Sequence, residues 1–254
     1  SVKKNLPYRN PKINFNDLNH SIINLNTADN QSIETMQFGG NDEFLINDSP
    51  VVVFLHGYGH PINESEKQRI IFLRKHQIPV IAPHFRGYSG SSGKYTYVGA
   101  YENIDVETVL KYLNNNYPKK KIIVFGISMG AASGLKAGYN LKNNNNIAGY
   151  ILEGCYYSLQ NAVENRIELA GAPRFIIYFL KFWAKLIFKL DFNDNIPADY
   201  ARIIEQPVLF IAGGADQKTD PEKMKKLFSF FKVPYKYIEI ENAEHINVYE
   251  KNPG

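Results

Sequence analysis

Short, mostly apolar runs recur along this chain with helix-like stretches between them. The runs are Val51-Val52-Val53-Phe54-Leu55, Pro79-Val80-Ile81-Ala82, Ile122-Ile123-Val124-Phe125, Gly149-Tyr150-Ile151-Leu152, Val208-Leu209-Phe210-Ile211-Ala212 and Tyr235-Lys236-Tyr237-Ile238-Glu239-Ile240. Most are too hydrophobic for a strand with one face in water. Ser65 to His76, Tyr101 to Tyr117, Met129 to Lys142 and Pro221 to Phe231 read as helices between them. Strand and helix in alternation predict an α/β fold with a parallel sheet covered on both faces. Ligands in such sheets bind beyond the carboxyl ends of the strands, so chemistry is sought just after each run.

The 254 residues suffice for one large core and contain no repeat. Residues 1–30, with Lys3, Lys4, Arg9 and Lys12, read as an N-terminal arm, and 31–254 as the domain. Ile33-Glu34-Thr35-Met36-Gln37-Phe38 alternates, and Glu43-Phe44-Leu45-Ile46 is expected to pair with it as an edge hairpin through Gly39-Gly40-Asn41. A net charge of +4, without a basic block interleaved with aromatics, speaks against a nucleic-acid partner. The single cysteine, Cys155, excludes an intramolecular disulfide. No signal peptide and no stretch of about 18 apolar residues occurs, so the expected location is the cytoplasm or a membrane surface, with no spanning segment.

Gly126-Ile127-Ser128-Met129-Gly130 follows one apolar run and opens a helix. A strand that turns sharply into a helix needs small residues about its apex, which the two glycines supply. The helix aims its first N–H groups at the apex, where they stabilise developing negative charge. Ser128 is therefore the candidate nucleophile.

A hydroxyl needs a base, held in turn by a third group. Of the six histidines only His245 lies beyond Ser128, in a polar loop just after the run ending at Ile240. Asp216 follows the run ending at Ala212, whereas Asp220 and Glu222 flank Pro221 at a helix start and suit capping. The backbone N–H groups of Tyr58, in His56-Gly57-Tyr58-Gly59, and of Met129 are the expected oxyanion donors. His56, Gly57, Phe179 and Trp183 are the expected substrate contacts. Phe85 to Gly93 reads as a mobile loop rimming the site. No cofactor is expected, and no His-Glu-x-x-His or cysteine pair offers a metal site.

Together "HGYG" (56–59), "FRGYSGSSG" (85–93), "GISMG" (126–130), "PVLFIAGGADQKTDP" (207–221) and "AEHIN" (243–247) resemble, in order, the blocks of the α/β-hydrolase superfamily, and within it the Bem46 and ABHD serine hydrolases. The resemblance implies a mostly parallel eight-stranded sheet with helices on both faces and a helical lid at about 156–200. It also implies a Ser128–His245–Asp216 triad with the Tyr58 and Met129 amides as oxyanion hole. Relatives usually carry a final helix after the histidine, whereas this sequence stops at Gly254.

Within the lid segment, residues 173–190 place Lys181, Lys185 and Lys189 on one helical stripe. Phe179, Phe182, Trp183, Leu186, Ile187 and Leu190 supply a broad apolar surface. Either that surface packs on the body with the lysines in water, or it meets lipid and acyl chains with the lysines on anionic headgroups. The leading expectation is hydrolysis of carboxylic esters or thioesters, small-molecule or lipid, through an acyl-enzyme on Ser128. The alternatives are a peptidase or acyltransferase using the same triad, and a non-catalytic binding module that keeps the fold.

Overall fold

A computed structural model describes residues 14–15, 18–45, 49–88, 90–143, 146–245 and 247–252. In chain order its elements are β1 (His20–Asn26), β2 (Ser32–Phe38), α1 (Asn41–Leu45), β3 (Val51–Leu55), α2 (Glu64–Lys75), β4 (Val80–Pro83), α3 (Glu102–Asn116), β5 (Ile122–Ile127) and α4 (Met129–Asn140). There follow β6 (Ile147–Glu153), α5 (Leu159–Leu169), α6 (Ile176–Phe188), α7 (Pro197–Ala201), β7 (Val208–Gly213), α8 (Pro221–Phe228), β8 (Tyr235–Ile240) and α9 (Val248–Lys251). The strands form one eight-stranded sheet in the order β1-β2-β4-β3-β5-β6-β7-β8. From β4 to β8 every pairing is parallel, while β2 pairs antiparallel with both β1 and β4.

The apolar runs have no period because both faces of the sheet are covered. Val51, Val53 and Leu55 of β3 join the core beneath α3 and α4, while Val52 and Phe54 join a second core with Ile70 and Leu73 of α2. Side chains alternate across a strand, so burial on both sides makes every position apolar. No helix among the described residues is long and apolar enough to cross a membrane.

The first strands depart from expectation. Glu43 to Leu45 does not form a hairpin with β2; it lies in α1, and Ile46 is outside the described residues. Glu43 is drawn into that turn because Arg74 of α2 grips its carboxylate at 2.6 and 2.8 Å, and because the carboxylate also accepts the Gly40 N–H. The partner of β2 is instead β1, which lies inside the segment read as an arm; Lys3, Lys4, Arg9 and Lys12 are outside the described residues. An edge strand with one wet face carries polar residues, and His-Ser-Ile-Ile-Asn-Leu-Asn gives little apolar signal.

Candidate active site

Ser128 stands at the corner between β5 and α4 with φ 52° and ψ −109°, a left-handed backbone that a non-glycine residue holds only where its surroundings force it. Those surroundings are tight. A Cβ on Gly126 would lie 2.5 Å from Ala131, and one on Gly130 would lie 2.3 Å from the carbonyl oxygen of Leu55. Only glycine lets α4 close on β3 and β5 at this distance. The Ser128 N–H donates to the Glu153 carbonyl at the end of β6 (2.8 Å).

The loop after β8 brings His245 to the serine, with Nε2 3.0 Å from Ser128 Oγ. On its far side His245 Nδ1 lies 2.7 Å from Asp216 Oδ2, in the loop after β7. With Nδ1–H donating to the carboxylate, Nε2 is left as the acceptor that a serine hydroxyl requires. Asp216 is buried and further held by the N–H groups of Lys218 and Thr219 at 2.8 and 2.9 Å, and by the Thr219 hydroxyl. Burial pushes its carboxyl up, but the hydrogen bonds from His245 and Thr219 outweigh this and hold it below its ordinary value. Asp220 caps α8 by accepting the Glu222 N–H, which separates the two aspartates by role.

A cavity of about 300 Å³ opens at Ser128 and His245. Gly57 and Tyr58 line it, and Met129 is the first residue of α4, where a helical N–H has no acceptor within the helix. The walls carry five charged side chains: Glu66 and Arg69 from α2, Glu153 from β6, Arg166 from α5, and Lys218. Arg69 grips Glu153 through Nε and Nη2 at 3.1 and 2.6 Å, with both side chains buried. Glu66 accepts the Gly57 N–H and closes a capping box with Asn63, so its carboxylate is committed to backbone. Burial lifts the Glu66 pKa to about 7. Among the described residues no carboxylate is within ion-pair distance of Arg166 or Lys218.

Three expected contacts lie elsewhere. His56 is fully buried; its Nδ1 bonds the Gly57 carbonyl at 2.8 Å and its Nε2 accepts the Phe85 N–H at 3.1 Å. Burial, then neighbouring His84, lowers its pKa to about 3, so it is a neutral tie between two loops and offers nothing to a substrate. Phe179 and Trp183 of α6 do not line the Ser128 cavity; Trp183 lines a separate apolar cavity between α6 and Tyr95 to Val98. The segment expected as a mobile rim is also anchored elsewhere. Arg86 is buried between Asp105 and Asp29, and Tyr88 is buried with its hydroxyl accepting the Gly59 N–H.

Thr219, Glu153 and Arg69 escaped the sequence reading. Glu153 carried a usable signal, since a carboxylate directly after the apolar run Tyr150-Ile151-Leu152 sits at a strand's carboxyl end. Arg69 carried none, because only the fold brings it near; Thr219 stands three residues after Asp216, where nothing in its residue type or spacing marks it as a partner of the carboxylate.

A family model described as serine aminopeptidase, S33, matches residues 47–202. Protein bem46 of Schizosaccharomyces pombe is 26% identical over 183 residues, covering 70% of this chain and 55% of that protein. The alpha/beta hydrolase domain-containing protein WAV2 of Arabidopsis thaliana is 28% identical over 189 residues, covering 70% and 56%. The chain thus spans about half the length of these relatives. Among solved structures, the Pyrococcus furiosus esterase Pf2001 superposes with a TM-score of 0.76 at 25% identity, covering 100% of this chain and 93% of that one.

Proposed function

This chain belongs to the S33 serine aminopeptidase family of α/β-hydrolases, and on that premise we propose that it cleaves carboxylic esters or thioesters through an acyl-enzyme on Ser128. The observation that carries the reading is the unbroken hydrogen-bonded series from Ser128 Oγ through the His245 imidazole to the Asp216 carboxylate. Ser128 Oγ attacks the carbonyl carbon while His245 Nε2 takes its proton. Asp216, held ionised, stabilises the imidazolium that results. The Tyr58 and Met129 N–H groups receive the oxyanion, aided by the positive end of α4. His245 then protonates the leaving alcohol or thiol, and water repeats the sequence to free the acid.

The family description favours a second reading, aminopeptidase action. An aminopeptidase must receive a substrate α-ammonium, which calls for an uncommitted carboxylate in the cavity. Here Glu153 is paired with Arg69, Glu66 is bound to backbone, and the groups left over are the cations Arg166 and Lys218. That charge pattern repels an ammonium and supports neutral or anionic substrates. Hydrolysis rates on short-chain p-nitrophenyl esters, acyl thioesters and aminoacyl anilides test it. Turnover of esters and thioesters without anilide cleavage is the expected result; anilide cleavage with no ester turnover would establish the peptidase.

A further inference from the structure

Helix α6 carries its apolar side away from the protein. At about 100° per residue, Ile177, Lys181, Ala184 and Phe188 share one narrow sector. That sector faces the body. Ile177 is 6% exposed, Lys181 Nζ donates to Gln160 Oε1 of α5 at 2.7 Å, and the Phe188 ring meets Tyr95 edge-on at 5.1 Å. Phe175, Tyr178, Phe179, Leu180, Phe182, Trp183, Leu186 and Ile187 are 41–73% exposed. They spread over roughly 200° of the helix, and no acidic residue interrupts α6.

We propose that this face docks on an anionic lipid bilayer, with α6 lying in the plane of the membrane interface. The width of the apolar arc favours lipid as its occupant. A packed helix or flat protein face covers a stripe of about 100°, which would leave half of this arc in water, whereas acyl chains close around a convex helix. Charge favours the anionic kind. Arg174, Lys185 and Lys189 fall within about 60° along one border of the arc, where a half-sunk helix meets headgroups. Arg174 and Lys185 pair with Glu168 and Asp191 in exposed bridges that phosphate can displace. Among the described residues no carboxylate pairs with Lys189, whose left-handed backbone ends the helix. Leu180 and Trp183 also line the apolar cavity of about 310 Å³ beside α6, which extends the same surface inward.

Trp183 is the only tryptophan in the chain, so its emission reports directly on this face. The full chain is titrated with vesicles of phosphatidylcholine alone and of phosphatidylcholine with phosphatidylserine. The expected result is a blue shift, quenching by brominated acyl chains, and tighter binding to the anionic vesicles. Lys185→Gln and Lys189→Gln each weaken anionic-vesicle binding about fivefold. Phe182→Ser/Leu186→Ser abolishes the shift while hydrolysis of a soluble ester continues, since neither residue lines the Ser128 cavity. Unchanged emission with both vesicle types overturns the proposal. So does emission already blue-shifted without lipid in a dimer that Phe182→Ser/Leu186→Ser dissociates, which would assign the face to a second copy.

Discussion

Glu153 holds Ser128 by the main chain: the serine N–H donates to the Glu153 carbonyl at 2.8 Å, while the Glu153 carboxylate is itself gripped by Arg69 from a helix 84 residues away in sequence. The elbow is therefore braced from β6 through a buried ion pair that never touches the serine hydroxyl. Removing one partner of such a pair leaves a buried charge without compensation. Arg69→Met is expected to destabilise the chain by about 3–5 kcal/mol, whereas Arg69→Met/Glu153→Leu recovers most of that loss. Urea unfolding checks it; equal stabilities of the single variant and the wild type would contradict the bracing role.

Much of this site was legible before the fold was known. Ser128, Asp216 and His245 all follow apolar runs that end as strands, and a covered parallel sheet collects those ends at one edge. The misreadings share another cause. A periodic pattern tells which residues of α6 share a face but not which face turns to the body, and here Lys181 faces in while Phe182 faces out. His56 looked available because it is polar and follows a strand; its Nδ1 is spent on the carbonyl of neighbouring Gly57 and its Nε2 on the Phe85 N–H, in a loop 29 residues on. The strand β1 was missed because its exposed edge keeps it polar.

The elbow glycine is a packing requirement. Gly130→Ala puts a methyl 2.3 Å from the Leu55 carbonyl oxygen and 2.7 Å from that of His56, so α4 must move off β3. Overpacking of this kind costs about 1–3 kcal/mol and here also displaces the Met129 N–H. The expected outcome is a lowered melting temperature with loss of the proposed ester hydrolysis. Gly40→Ala, with nothing within 4 Å, is the control and leaves both nearly unchanged.

Glu66 couples stability to pH. Its pKa in the folded chain is about 7 against an ordinary 4.5, so the folded state binds the proton more tightly than the unfolded state. Its stabilising contribution is complete below about 4.5 and is lost as pH rises through about 7. Glu66→Gln removes that dependence. Denaturation from pH 5 to 8 is expected to show the wild type losing stability relative to the variant across this window; parallel curves would contradict it.

In the proposed mechanism Asp216, 2.7 Å from His245 Nδ1, orients and compensates the imidazole without touching substrate. Asp216→Asn is expected to lower kcat by about 10⁴-fold with KM nearly unchanged, because the amide stabilises the wrong tautomer of His245. A matched fall in kcat for Asp220→Asn would contradict this assignment, since Asp220 only caps α8.

The most direct measurement is labelling by a fluorophosphonate, which reacts with a serine activated by a base and placed against oxyanion donors. Wild type, Ser128→Ala and His245→Ala are compared, each confirmed as folded by circular dichroism. Labelling of the wild type alone is the predicted result. Folded wild type that stays unlabelled, or Ser128→Ala that labels as the wild type does, would contradict catalysis at Ser128.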